Sequence, residues 1–196
     1  MDTRQALRRS IRSKRRALTP LQQRQAANRL CKQLRKLPAF LNAQHIAVYL
    51  PNDGEIDLQP LIRLCWQLGK KTYLPVLHPV KHNSLWFVPY SAKTRLVKNI
   101  YKIPEPVVLG EPKQPIWALD LVLLPLVAFD ADGNRMGMGG GYYDRTFAFK
   151  TRLGANWGPR LLGMAHELQR VDKLAVASWD IPLTGIVTDM KSYYGK

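Results

Sequence analysis

Cysteine is scarce in this chain, acids are few, and long apolar runs are missing. Only Cys31 and Cys65 are cysteines among the 196 residues. Both fall in helix-like patterns without metal-ligand spacing, so they read as buried thiols of a cytoplasmic protein rather than as a disulfide or a zinc site. No stretch reaches the roughly eighteen uninterrupted apolar residues of a membrane-spanning helix, so no membrane partner is expected. The basic N-terminus has no apolar segment behind it of the kind a secretory signal carries. Aromatic residues are missing from Met1 to Ala39, which leaves that stretch no platform for stacking nucleic-acid bases. Neither GxxxxGK[ST] nor GxGxxG with its following acidic residue is present. Repeats, low-complexity segments and an internal domain boundary are also lacking, and the length suits one α/β domain over residues 1–196.

What is abundant is positive charge. Thirty Lys and Arg face fourteen Asp and Glu, for a net +16. Such a balance admits a nucleic-acid partner. Its distribution is uneven, however. Twelve of the bases and one acid, Asp2, lie between Met1 and Lys36, so that segment carries +11 and the remaining 160 residues only +5.

The basic segment reads as a helical hairpin. Leu7, Ile11 and Leu18 form an apolar stripe over a helix from about Thr3 to Ala17, while Arg4, Arg8, Arg12 and Arg15 share another face. Thr19-Pro20 is an N-cap followed by proline at the first helical position. A second helix, with Ala26 or Ala27, Leu30, Leu34 and Leu37 inward, runs to about Lys36 and is ended by Pro38. Three readings of the arginine face are open: a solvated surface, a nucleic-acid patch, or a set of phosphate ligands.

Short apolar runs then alternate with a helical pattern. His45–Leu50 is a strand, and Pro51-Asn52-Asp53-Gly54 breaks it. A helix follows with Leu58, Leu61, Ile62, Leu64, Cys65 and Leu68 inward, closed by Gly69, and Thr72–Val76 is the next strand. This order predicts parallel strands joined by a helical crossover. Glu55 falls just past a strand end and just before a helix. Such a position suits a ligand contact in an open α/β sheet, and it equally suits a charge complementing the helix dipole. Leu85–Val88 is a further strand. Residues 93–113 are loop-rich, and the proline-stiffened segment Tyr101–Pro106 is either a surface loop or one wall of a pocket for a flat heterocycle. Arg160–Ala165 and Gly185–Thr188 are the last strands. His166, Glu167 and Asp172 show no metal or triad spacing, and the tail from Asp189 to Lys196 reads as loose.

The centre of the chain carries the chemistry. Asp120–Phe147 reads DLVLLPLVAFDADGNRMGMGGGYYDRTF. Leu121–Leu124 suits a strand buried on both faces, and Asp130–Asn134 is turn chemistry. Arg135 then precedes Gly137, Gly139, Gly140 and Gly141, after which Tyr142–Phe147 opens a helix. Strand, glycine loop and helix start is a common way to hold phosphate, because glycines let backbone N–H groups converge on a ligand without a Cβ in the way. Arg135 and Arg145 bracket the loop as phosphate partners. A carboxylate at Asp144 makes sense if magnesium lies between it and the phosphates. The alternative is a tight turn with no ligand.

This stretch resembles the signature of the 5-formyltetrahydrofolate cyclo-ligase (5,10-methenyltetrahydrofolate synthetase) family. The likeness extends over nearly the whole chain, through the basic start, the Glu55 turn, Gly69-Lys70-Lys71, Ile103–Pro106 and Trp179–Thr188, and its wording is of bacterial type. The resemblance implies a central, mostly parallel sheet flanked by helices. It implies ATP- and Mg2+-dependent cyclisation of 5-formyltetrahydrofolate to 5,10-methenyltetrahydrofolate through phosphorylation of the formyl oxygen and attack by N10. By the same likeness Arg4, Arg8 and the loop Arg135, Met136, Gly137, Met138, Gly139, Gly140, Gly141, Tyr142 and Tyr143 bind ATP. Leu50, Glu55, Tyr101 and the inner loop from Met138 to Tyr142 bind the folate and its polyglutamates. Asp144 and Asp180 hold the metal, and Arg135, Tyr143 and Asp144 form the catalytic set of a cytoplasmic monomer. A basic nucleic-acid module and another α/β ATP-dependent phosphotransferase are the competing readings.

Overall fold

A computed structural model describes residues 3–108, 110, 113–154, 157–175, 177 and 179–194. In chain order it begins with helices α1 (Thr3–Arg16), α2 (Pro20–Leu34) and α3 (Pro38–Leu41), then strand β1 (His45–Ala47), helix α4 (Gln59–Gln67) and strands β2 (Lys71–Leu77) and β3 (Leu85–Tyr90). Two short strands, β4 (Leu96–Lys98) and β5 (Pro104–Pro106), pair with each other. The buried strand β6 (Leu121–Pro125) leads into a tight hairpin, β7 (Ala128–Phe129) and β8 (Arg135–Met136). Helices α5 (Tyr142–Thr146) and α6 (Phe149–Leu153) and strands β9 (Arg160–Ala165), β10 (Gly185–Thr188) and β11 (Ser192–Tyr193) complete it.

Seven strands form one sheet in the order β11-β10-β9-β6-β1-β2-β3. Its five inner strands are parallel, and β11 and β3 are antiparallel edges. The α4 crossover joins β1 to parallel β2 as the β-α-β pattern predicts. Strand alternation explains the two-sided core. Leu121 and Leu123 of β6 pack with Leu30, Leu34, Phe40, Leu61 and Ile62 on one face. Val122 and Leu124 pack with Tyr73, Phe87, Phe147 and Ile181 on the other.

Several local expectations change. Pro38 does not merely end the second helix, which stops at Leu34; it occupies the first turn of α3, where its missing N–H costs nothing. The regular part of β1 is three residues rather than six, since the chain leaves the sheet toward the Asn52 turn. Leu68 is exposed at the end of α4 rather than inward. The 93–113 segment contains the β4–β5 hairpin, and the tail contributes β11, with residues 195–196 outside the described set. The two N-terminal helices follow one another as expected but diverge. The α2 helix packs on α4 and β10, whereas α1 lies against the 3-10 turn Glu167–Gln169.

The site's position follows from topology. From β1 the chain crosses to β2 on one side, and from β6 it passes to β9 on the other. The order therefore reverses between β1 and β6, and the crevice at their C-terminal ends is where open α/β sheets take ligands. The Glu55 turn leaves the end of β1, and the glycine loop follows β6 through the β7–β8 hairpin. Asp130 anchors that hairpin. Fully buried, its carboxylate accepts from the N–H groups of Asp132, Asn134 and Leu174 and from Asn134 Nδ2, at 2.9–3.1 Å.

Candidate active site

Five segments far apart in sequence meet at this crevice. Helix α1 brings Arg8, whose Nε donates to the Gly137 carbonyl at 3.0 Å. A Cβ on Gly139 would lie 3.6 Å from the Arg8 guanidinium, so the arginine rests on the glycine loop itself. Gly139 (φ 101°) and Gly141 (φ 67°) hold backbone conformations that side chains resist. Arg145 Nη1 donates back to the Gly140 carbonyl at 2.7 Å. The glycines thus turn the loop, and two guanidiniums donate to its Gly137 and Gly140 carbonyls, which leaves the amides of the same peptides to face elsewhere. The helix that follows has only five residues, so its dipole is weaker than the strand–loop–helix pattern implies.

Arg135 and Asp144 form an ion pair at 2.5 Å, and the Ile181 N–H donates to the same carboxylate oxygen at 3.1 Å. The Arg135 side chain is 7% exposed, and its Nε has no hydrogen-bond partner among the described residues. A buried guanidinium N–H without an acceptor is costly and marks where an anionic oxygen belongs. Asp180 accepts from the Ala177 N–H at 2.9 Å, and its chain neighbour Ile181 is the residue that donates to Asp144. Among the described residues no three His, Cys, Asp or Glu side chains gather into a metal site.

The Glu55 turn and the tyrosines close the other side. Burial pushes the Glu55 carboxyl up to about 7 against the opposing charge of Arg15 and a hydrogen bond from the Asn52 N–H. Burial likewise raises the phenol of Tyr143, helped by the nearby Glu55 charge and opposed by Arg135, so these three side chains share one electrostatic neighbourhood. Tyr101 and Tyr142 share a hydrogen bond at 2.7 Å with rings edge to face at 6.0 Å. Burial and that hydrogen bond push the Tyr142 phenol up to about 12. Both phenols therefore stay protonated, and either Tyr101 or Tyr142 can be the donor of the bond they share.

The family model of the 5-formyltetrahydrofolate cyclo-ligase family matches residues 1–189. The chain belongs to that family. It is 44% identical over 184 residues to the 5-formyltetrahydrofolate cyclo-ligase of Escherichia coli strain K12, covering 92% of this chain and 97% of the relative. It is 40% identical over 187 residues to that of Haemophilus influenzae, covering 94% and 96%. The 5,10-methenyltetrahydrofolate synthetase of Aquifex aeolicus superposes with a TM-score of 0.79 at 29% identity, covering 97% of this chain and 92% of that one.

The structure brings most residues singled out in this cyclo-ligase sequence to one place: Arg8, Glu55, Tyr101, Arg135, Gly137 to Tyr143, Asp144 and Asp180. Arg4 lies one turn before Arg8 on the same helix, half-buried. Two residues differ in how they take part. The Met136 side chain is core, packed with Ile11, Val127 and Leu174, so only its backbone faces the loop. Leu50 is half-buried against the main core. The separate apolar cleft of about 410 Å3 between Trp117, Phe149 and Trp157 contains none of these residues.

The sequence reading missed one group. Arg15 is fully buried, not on a solvated face. With Arg12 and Arg16 it grips Asp53 in the turn before Glu55. Burial pushes the Asp53 carboxyl up, but the Arg12 and Arg16 guanidiniums overcome this and hold it below its ordinary value. Positions 12, 15 and 16 form one patch on the helix, and Arg15, four residues after the buried Ile11, is the one on its inward side.

Proposed function

We propose that the chain closes 5-formyltetrahydrofolate to 5,10-methenyltetrahydrofolate, cleaving ATP to ADP and phosphate, and that the crevice between the Glu55 turn and the glycine loop is where this occurs. The observation that carries the assignment of the site is the buried Nε of Arg135, without a partner among the described residues, beside a glycine loop that Arg8 and Arg145 already hold. Three guanidiniums and a set of unobstructed amides suit a triphosphate.

The reaction needs positioning and charge more than acid–base chemistry. A formamide oxygen carries no proton, so its attack on the γ-phosphorus needs no base. ADP leaves with the bonding electrons of the bridging oxygen. N10 then attacks the activated formyl carbon, inorganic phosphate departs, and the N10 proton passes to solvent. In this reading Arg8, Arg135 and Arg145 spread the charge of the transferring phosphoryl group. The Tyr143 hydroxyl, kept protonated, donates toward an oxygen at the reacting centre. Glu55 and Leu50 hold the pterin, with Tyr101 and Tyr142 at the mouth, so that the formyl oxygen lies in line with the phosphate.

A magnesium ion fits the donor set. It takes one or two carboxylates and fills its remaining positions with phosphate oxygens and water. Asp144 and Asp180, joined through the Ile181 backbone, would hold it, and when bound it would neutralise charge on the nucleotide phosphates.

The test is growth of methenyl-folate absorbance from 5-formyltetrahydrofolate, with ATP and magnesium each supplied or withheld. Absorbance should rise only when all components are present. Folded protein that hydrolyses ATP without responding to the folate would assign a different phosphotransferase. No turnover, with RNA binding that weakens steeply with salt, would assign the basic helices to nucleic acid.

A further inference from the structure

Helix α1 touches both halves of the crevice. Arg8 lies on the glycine loop. One and two turns further along, Arg12, Arg15 and Arg16 converge on Asp53, which stands two residues before Glu55. The four residues from Arg8 to Arg12 span only about 6 Å of helix, too short to bend. The contact with the turn is close as well as charged. A Cβ on Gly54 would come within 2.9 Å of the Arg15 carbonyl, Arg15 Nε donates to the Asp53 carbonyl at 2.9 Å, and Gln23 Nε2 and His166 Nε2 both reach the Gly54 carbonyl, at 3.2 Å each. Asp53 itself sits at φ 53°, a conformation that only Gly, Asn and Asp adopt readily. The rest of α1 is held by Leu7 and Ile11 against Val127, Met136 and Leu174, so the helix does not need Asp53 to stay docked.

We propose that Asp53 is a positioning residue that couples the two substrate sites: through its three arginines it makes the Glu55 turn and the Arg8-bearing helix a single body, so that nucleotide and formyltetrahydrofolate each tighten the other's binding. The inference rests on the assignment of the crevice above. A ligand that orders one end of such a body has already met the ordering cost for the other, and the gain is reciprocal. The arrangement also explains why Arg12, Arg15, Arg16 and Asp53 form a charged cluster behind the Glu55 turn. Arg12 and Arg16 are partly exposed and by themselves add little, but Arg15, with no exposed side-chain surface, cannot be buried there without Asp53 and the Leu126 carbonyl as partners.

The experiment measures the dissociation constant of β,γ-imido-ATP with magnesium, in the absence and in the presence of saturating 5-formyltetrahydrofolate, by calorimetry on the full chain. The native protein should show a coupling factor in the range of about 5 to 150. Asp53→Asn keeps the left-handed turn and an oxygen for one arginine but removes the charge. It should bring the factor to about 1, with each ligand's separate dissociation constant changed less than about threefold. Arg12→Gln, which trims one arm and leaves Arg15 paired, should give an intermediate factor. A native factor of 1, or an Asp53→Asn factor equal to the native one, overturns the proposal while leaving the site assignment intact. So does a variant in which both separate affinities collapse together, because that is loss of structure. Failure of the native protein to bind the folate at all sinks the site assignment itself.

Discussion

Arg135 and Asp144 show how one contact serves two purposes. Their ion pair fixes both side chains in a crevice where Arg135 still has a buried N–H to offer. Replacing Asp144 by Asn keeps the shape and the hydrogen bond from Ile181 but removes the charge that pairs with Arg135 and would draw the metal. Turnover in the absorbance assay should fall about 10²- to 10³-fold, as for loss of one electrostatic group at a reacting centre, with the circular dichroism spectrum unchanged. Turnover within twofold of native would remove Asp144 from the site. Glu55 makes a prediction in pH. Burial raises its carboxyl from 4.5 to about 7, so between these values the folded chain binds a proton that the unfolded chain has released. Its contribution to stability is therefore complete below pH 4.5 and is lost as pH rises through 7. Urea unfolding of Glu55→Gln compared with native across pH 4–8 should show a shallower fall on the alkaline side. Parallel curves would mean the carboxyl is not buried in solution.

At the scale of elements, local chemistry and packing divide the credit. The start of α2 is local: the Thr19 hydroxyl accepts from the Gln22 N–H, and the Gln22 Oε1 accepts from the Thr19 N–H at 2.8 Å, ahead of Pro20. Thr19→Ala should cost about 1 kcal/mol, read as a lower urea midpoint with unchanged slope. No shift would mean that packing of Ala26, Leu30 and Leu34 alone sets that terminus. The β4–β5 hairpin is the opposite case. Proline-flanked Glu105 does not look like a strand, yet its carboxylate ties Asn99 Nδ2 at 3.0 Å across the hairpin, and Pro104 and Pro106 are tolerated because the strand has a free edge. The arginine face of α1 divides in the same way: its periodicity was readable, but which arginines turn inward was not, because an arginine is buried only where a carboxylate elsewhere in the chain meets it.

For the whole molecule, the net +16 and the local +11 of the first 36 residues form a field around the crevice, since α1 lies along it. ATP is an anion, and such a field raises the encounter rate of an anionic substrate. We expect kcat/KM for ATP to fall by about fivefold or more between roughly 0.05 and 0.5 M NaCl, as screening shortens from about 14 to about 4 Å, with kcat nearly constant. A flat salt profile would leave the basic surface without a part in substrate capture. No helix among the described residues is long and apolar enough to cross a membrane.

The β1-α4-β2 crossover, the buried β6, the Asp130 turn and the glycine loop all follow from the amino-acid sequence, because each depends on periodicity or on a residue's own backbone preferences over a few neighbours. The family resemblance is legible for the same reason: its signature is one continuous stretch. Tertiary structure alone decided that Arg8 rests on Gly139, that Arg15 is buried on Asp53, that Met136 turns into the core, and that Tyr101 reaches Tyr142. These contacts join residues up to 129 positions apart. No local propensity encodes them, since charge and hydrogen-bond partners are chosen by whatever the sheet topology brings within a few ångströms.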